Sequence, residues 1–221
     1  MRKAACLFSG GKDSVFAAWL AGVQGFEPNL LTIESGEYSM MFHHPNVKFA
    51  SLQAEAMGFP HSAVKTTKEN ELADLESAIS EMGASAIFTG AVASDYQRQR
   101  IEQIGERLGM PTYSPLWHKC VPGSGSRVSG ECALMEEMLQ YFEIYTVAVS
   151  AEGLGPEFLA RPFSEMAKKA PKHVHPFLEG GEGETFVADA PFFSKRIIVE
   201  EWETHWDGVR GIAEIKKARL G

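Results

Sequence analysis

Four short apolar runs, "AACLF", "NLLTIE", "HSAVKT" and "SAIFTG", alternate with segments whose apolar residues recur every three or four positions. This alternation leaves the first half of the chain few ways to fold. "DSVFAAWLAG" reads as a helix ending near Gly22, and "NVKFASLQAEAMGFP" as one stopped by Gly58 and Pro60. In "ENELADLESAISEMG", Leu72, Leu75, Ile79 and Met82 fall at helical spacing, with Gly83 where a C-cap is expected. "AVASDYQRQRIEQIGERLGMP" opens with Ser94 and Gln97 placed as a capping box and carries Ile101, Ile104 and Leu108 on one face. Four strands separated by helices predict α/β architecture: an open, largely parallel twisted sheet.

The second half is less regular. "CVPGSGSRVSG", residues 120–130, is rich in Gly, Ser and Pro and reads as a flexible loop or boundary. A helix "ECALMEEMLQYF" and a strand "EIYTVAVSA" follow, then "EGGEGETFVADAPFF" and a partly alternating strand "KRIIVEEWETHW". This order predicts a smaller C-terminal α+β domain. At 221 residues and 44% hydrophobic, the chain is long enough to bury a core for one full domain and a smaller one.

Charge and cysteine usage narrow the partners. Lys and Arg number 21 against 29 Asp and Glu, and the net charge of −8 disfavours general nucleic-acid binding. Apolar runs fall far short of the roughly 18 residues of a membrane span, and "MRKAACLF" is too brief before its glycines to be a secretory signal. Cys6, Cys120 and Cys132 form no C-x-x-C pair, which fits a reducing, cytoplasmic compartment. Oligomeric state stays open, a homo-oligomer included.

Directly after the first predicted strand stands "SGGKDS", residues 9–14. In an open parallel sheet, ligands sit at the carboxyl ends of the strands, where a turn and a helix N-terminus bring N–H groups to an anion. Gly10 and Gly11 let the backbone approach phosphate, Ser9 and Ser14 add hydroxyls, and Lys12 supplies a point charge. Asp13 repels phosphate unless it binds Mg²⁺, caps the helix or packs against a neighbour. The spacing is not that of a Walker A loop.

"SGGKDS" resembles the PP-loop of the N-type ATP pyrophosphatases, which implies an adenine nucleotide alpha hydrolase-like fold. The resemblance narrows to the diphthine-ammonia ligases, or diphthamide synthetases. It is carried by "SGGKDS", "MMFHHPN" with "QAEAMGFP", "TGAVASDYQRQRIEQIGERLGMPTYSPLW", "VAVSAEGL" and "EGGEGETFVADAPFF". It implies ATP-dependent amidation of diphthine, a modified histidine on translation elongation factor 2, using ammonium. The substrate carboxylate would attack the α-phosphorus of ATP, and ammonia would displace AMP. The implied organisation is a PP-loop ATP-binding domain over 1–119, a boundary at 120–130 and a substrate-recognition domain over 131–221.

By the same resemblance Ser9, Gly10, Gly11, Lys12, Asp13, Ser14, Gly90, Ser94 and Asp95 would hold the nucleotide, with Asp13 on Mg²⁺. Catalytic roles are implied for Lys12, Asp13, Arg98, Arg100 and Glu182, and Lys12→Ala is expected to lose turnover with the fold intact. Arg98 and Arg100 suit the α-phosphate or the substrate carboxylate, since guanidinium is planar and bidentate. Tyr96, Glu179, Gly180, Gly181, Glu182, Glu184 and Thr185 would bind the acceptor. Three carboxylates in one glycine-rich loop repel each other unless a cation lies among them. The trimethylammonium of diphthine is such a cation, and Phe177, Phe186 or Trp117 would add a cation-π face.

The chain departs from the family pattern in three places. Phe177 and Leu178 stand where a small pair ending in glycine is usual, Gly183 stands where an aromatic is common, and residues 120–130 look inserted. His173 and His175 alternate as metal ligands do, but with no further ligand nearby they read as surface or substrate-loop histidines. His43 and His44 belong to a family segment that lines the site, whereas Met40, Met41 and Phe42 read as packing residues. Two other functions fit a PP-loop chain: an adenylating ligase or thiolase with a small-molecule or tRNA substrate, for which Cys120 and Cys132 are the sulfur candidates, and a nucleotide-binding module without chemistry.

Overall fold

The computed structural model describes residues 2–35, 46–67, 69–117 and 133–221. In chain order the first half contains β1 (Arg2–Leu7), α1 (Lys12–Val23), β2 (Phe26–Glu34), α2 (Ala50–Met57) and β3 (His61–Lys65), then α3 (Glu71–Glu81), β4 (Ile87–Phe88), α4 (Asp95–Leu108) and β5 (Thr112–Tyr113). The second half contains α5 (Ala133–Tyr141), β6 (Glu143–Val149), β7 (Arg161–Pro162), α6 (Phe163–Lys169), β8 (Gly183–Asp189), β9 (Ile197–Trp206) and β10 (Gly211–Leu220). His43, His44, Met40, Met41, Phe42, Cys120, Cys132 and the 120–130 segment lie outside the described residues.

The first sheet is parallel throughout, in the order β3-β2-β1-β4-β5. Its chain order reverses at β1, so the exits of β1 and β4 flank the crevice where such sheets bind ligands. The sheet has five strands rather than four, because the two-residue Thr112–Tyr113 pair stands between Pro111 and Pro115 without the apolar run that marks the equally short β4. Ala4, Ala5 and Cys6 of β1 are fully buried, as expected for a central strand covered on both faces. Burial pushes the Cys6 thiol up to about 12, which keeps it a packing residue.

Leu75 and Ile79 of α3 and Ile101 and Ile104 of α4 pack on one face of this sheet against Leu31, Ile33 and Ile87. Val15, Phe16 and Ala18 of α1 and Ala50 and Ala54 of α2 cover the other. α1 runs one residue past Gly22, to Val23, and α2 is preceded by a 3-10 turn over Val47–Phe49.

The second sheet is antiparallel. β6 pairs with β8 along one edge and with β7 and β10 along the other, and β9 pairs with β10 at the end of the sheet. The sequence reading passed over β7, α6 and β10. One glutamate and two lysines interrupt "GIAEIKKARL", and a register shift between Ile215 and Lys217 breaks its alternation.

The largest core cluster spans both halves, joining Val15, Phe16 and Phe88 to Met138, Phe163, Phe177 and Val187. Trp19 stacks on Phe192 at 5.2 Å between centroids, and the Phe142 ring stands edge-on to Phe16 at 5.6 Å. Each fully buried large apolar side chain contributes about 1.5–3 kcal/mol, so this seam is a strong joint. Among the described residues no helix is long and apolar enough to cross a membrane.

Candidate active site

The turn between β1 and α1 is held together by its own hydroxyls. Ser9 N–H donates to Ser14 Oγ at 3.2 Å, Gly11 N–H to Ser9 Oγ at 3.4 Å, and Ser14 Oγ–H to the Gly11 carbonyl at 3.0 Å. Gly90, at the exit of β4, backs onto the first turn of α1: a methyl there would lie 2.7 Å from Ser14 N. Its place in the site is therefore clearance for the helix.

β8 runs directly alongside this turn. Lys12 N–H donates to Thr185 Oγ1 at 3.1 Å, and Val187 N–H to the Gly10 carbonyl at 3.2 Å. Gln53 of α2, fully buried, donates from Nε2 to both the Gly10 and the Val187 carbonyls at 2.8 Å. The sequence reading missed Gln53. Its signal was a polar side chain on the helix face that also carries Ala50, Ala54 and Met57.

Lys12 differs from expectation. Its side chain is 2% exposed, and its ammonium donates to Asp13 Oδ2 at 2.7 Å and to the Phe177 carbonyl at 2.8 Å. The Phe163 and Phe177 rings lie 5.5 and 5.2 Å from it. A cation so enclosed is a tie across the seam. Lys12→Ala therefore disturbs the fold as well as any chemistry, because it strips a buried carboxylate and a carbonyl of their donor.

Asp13 has one oxygen on Lys12, while Oδ1 is buried without a hydrogen-bond partner. Burial pushes its carboxyl up to about 6, Lys12 opposing and Glu179 and Glu184 adding to the rise. An unsatisfied buried carboxylate oxygen beside further acidic groups fits a divalent cation.

Glu179 reaches from the "EGGEGET" loop to the start of α4. Its Oε2 accepts the N–H groups of Ala93 and Ser94 at 3.0 and 3.1 Å. The expected capping box is thus only half present. Ser94 Oγ accepts from Gln97 N–H at 3.4 Å, but Ser94 N–H goes to Glu179, since a carboxylate outcompetes a neutral amide at a helix N-terminus. Glu182 accepts from His175 N–H at 2.9 Å and Gly180 N–H at 2.7 Å, one on each oxygen. Backbone N–H groups thus satisfy one oxygen of Glu179 and both oxygens of Glu182. Glu182 has the geometry of a loop brace.

The two arginines separate. Arg98 stacks on Trp117 at 4.3 Å, pairs with Glu102 at 3.1 Å and Asp95 at 3.6 Å, and keeps a buried Nε without a partner. Arg100 folds over the exposed Tyr96 ring at 3.3 Å and donates to the Tyr96 carbonyl. Asp95 is 68% exposed. Of the rings proposed for a trimethylammonium, Phe177 has the Lys12 ammonium at 5.2 Å, Trp117 has the Arg98 guanidinium at 4.3 Å, and Phe186 is 2% exposed.

His173 is exposed, near the Glu152 carbonyl, while His175 is half-buried beside Phe177 in the loop that approaches Lys12. Leu178 adopts φ +61°, a left-handed value that favours glycine over a branched side chain. A side chain on Gly183 would meet the Ala148 carbonyl oxygen at 2.5 Å and Leu178 Cδ1 at 3.3 Å. The two departures from the family pattern are neighbours in space.

Fold and seam together define a two-sheet α/β protein, with a C-terminal antiparallel sheet closing on the turn after β1. Two family models match it, the Diphthamide synthase N-terminal domain over residues 1–112 and the Diphthamide synthase C-terminal domain over residues 131–220. The chain belongs to the diphthamide synthase family. A curated relative from Danio rerio, named diphthine-ammonia ligase, is 30% identical over 90% of this chain and 86% of its own length. One of the same name from Rattus norvegicus is 28% identical over 99% of this chain and 90% of its own. A solved structure from Methanocaldococcus jannaschii, described as a predicted subunit of tRNA methyltransferase, aligns with a TM-score of 0.49 and 18% identity over 86% of this chain and 98% of that one.

Proposed function

We propose that this chain converts the carboxylate of diphthine on translation elongation factor 2 to the amide, using ATP and ammonium and releasing AMP and pyrophosphate. The observation that carries this reading is the junction itself: in a diphthamide synthase family chain, the "SGGKDS" turn and the "EGGEGET" loop meet at Lys12, Phe177 and Thr185. A nucleotide turn and an acceptor loop in contact meet the positional requirement of an acyl transfer through an adenylate.

The turn at residues 9–14, held in shape by its own serine hydroxyls, receives the pyrophosphate portion. Asp13, whose Oδ1 is buried without a hydrogen-bond partner, would hold Mg²⁺, which would supply positive charge to the phosphate oxygens. Arg98, through its unfilled Nε, stabilises negative charge on the α-phosphate or on the attacking carboxylate. Arg100, Tyr96 and Asp95 lie on the exposed start of α4 and contact the acceptor from outside the seam. Glu179 and Glu182 hold their loop in shape, and Thr185 ties that shape to Lys12. The residues from 131 onward form the acceptor-recognition part.

The test is AMP and pyrophosphate release from Mg-ATP and ammonium, with elongation factor 2 carrying diphthine or unmodified histidine, followed by mass spectrometry of the factor. Acid-to-amide conversion of the diphthine form alone supports the reading. AMP formation that ignores the factor would redirect it to another acceptor.

A further inference from the structure

His175 leads into the "EGGEGET" loop, and its ring has no part in the functions proposed above. Its Nδ1 accepts the N–H of Phe177 at 3.2 Å, while its own backbone N–H goes to Glu182. Burial holds the ring below the ordinary histidine value against the opposing pull of Glu179 and Glu182, so the imidazole is neutral. A neutral imidazole carries one proton. With Nδ1 committed as an acceptor, the hydrogen-bond pattern assigns that proton to Nε2.

Nε2 is buried and meets no acceptor among the described residues. An unpaired buried N–H is costly, and native proteins seldom leave one without a water or ligand to receive it. The neighbouring groups do not relieve it: both Glu182 oxygens accept backbone N–H groups, Glu179 Oε2 is on α4, and Lys12 is itself a donor. As a donor, Nε2–H is wrong for ammonium and right for an anionic oxygen. Its charged surroundings, Lys12, Glu179 and Glu182, are those of the seam where the nucleotide turn and the acceptor loop meet.

Resting on the function proposed above, we propose that His175 Nε2–H donates to an anionic oxygen of the bound reactants, fixing that oxygen beside the Lys12–Phe177 tie. Two oxygens share this chemistry, one on the α-phosphate and one on the carboxylate that attacks it. The sequence showed only a histidine pair at alternating spacing; the ring pointing into the seam is a property of the fold.

His175→Asn isolates the contact, because an asparagine oxygen can accept the N–H two residues on and keep the turn, while nothing replaces Nε2–H. His175→Gln carries an amide N–H further out, near the lost donor. The measurements are Mg-ATP affinity by calorimetry and the KM for diphthine-bearing elongation factor 2 in amidation. The asparagine variant should remain folded and lose about tenfold or more in one of them, the scale of a lost hydrogen bond to a charged group, with partial recovery in the glutamine variant. Weakened Mg-ATP binding assigns the oxygen to the triphosphate. Unchanged Mg-ATP binding with a raised KM for the factor assigns it to the carboxylate. Wild-type constants in both assays, or equal losses in both variants matched by lost thermal stability, overturn the proposal. Should the asparagine variant not fold, the glutamine variant decides alone: its amide N–H only partly replaces Nε2–H, so a loss of about three- to tenfold in one constant is expected, and wild-type constants in both assays overturn the proposal. If the wild-type enzyme binds Mg-ATP but does not amidate the factor, the proposed function fails and the Mg-ATP measurement still decides the role of His175.

Discussion

The Lys12 ammonium lies 2.8 Å from the Phe177 carbonyl, a contact between residues 165 positions apart, and 2.7 Å from Asp13 Oδ2. The positive charge of the glycine turn is therefore directed inward, at the joint between the two sheets. With Lys12 only 2% exposed, its absence would leave the carboxylate and the carbonyl short of a donor in a place water hardly reaches.

Lys12→Met keeps much of the stem and removes the charge. Losing one partner of a buried ion pair costs about 3–5 kcal/mol, which for a chain of this size lowers Tm by on the order of 10 °C. Thermal denaturation followed by circular dichroism measures it. A drop under about 2 °C would show that the seam does not depend on this pair.

Asp13 sets a pH dependence of unusual sign. Its carboxyl stands near 3.8 when free and is pushed up to about 6 in the fold, so the native state binds more protons between these values. Stability from this group is greatest below about pH 4 and falls as pH rises through about 6, by about 3 kcal/mol in all. In chelator, Asp13→Asn should flatten that slope, while lowering Tm overall because Lys12 loses its buried carboxylate partner. Mg²⁺ added with ATP at neutral pH should raise the wild-type Tm more than that of the variant.

Glu179 offers a graded test of the clamp on α4. Glu179→Gln keeps an oxygen that can accept from Ala93 and Ser94 and loses only the charge at the helix start, about 0.3–1 kcal/mol. Glu179→Ala loses both bonds and should cost about 2–3 kcal/mol. Urea denaturation of the two variants separates these values, and equal losses would mean that charge alone carries the clamp.

Gly183→Ala should destabilise by about 1–3 kcal/mol, because the added methyl meets the Ala148 carbonyl oxygen at 2.5 Å. Leu178→Gly relieves a left-handed backbone and clears Leu178 Cδ1 from the same space. It should not rescue Gly183→Ala, since the tighter contact is with backbone. Additivity of the two changes in a double-mutant cycle checks this. A rescue would show that Leu178 is what excludes a side chain at residue 183.

Much of the first sheet was legible because its signals are local. Runs of apolar residues gave β1 to β4, and parallel strands end on one edge, which puts "SGGKDS" and "SDYQRQR" near each other. What was hidden depends on contacts distant in sequence. Nothing around Lys12 says that it faces Phe177, and nothing around Ser94 says that Glu179 will displace Gln97 from its N–H. Gln53 looked like one more residue of an alanine-rich helix, though a glutamine on the covered face was the clue. β5 and β7 are two residues each, like β4, but adjoin or contain a proline and stand outside any apolar run, so nothing local marks them.

Gly10 shares its carbonyl with Val187 and Gln53, and Lys12 shares its N–H with Thr185, so β8 and the glycine turn have no independent positions. A ligand that displaces either one does work on the other. Thermodynamic reciprocity then applies: if docking of the acceptor on the β8 side alters affinity for nucleotide, nucleotide alters affinity for the acceptor by the same factor. The enzyme would sense whether its second reactant is present through the shape of its first binding site.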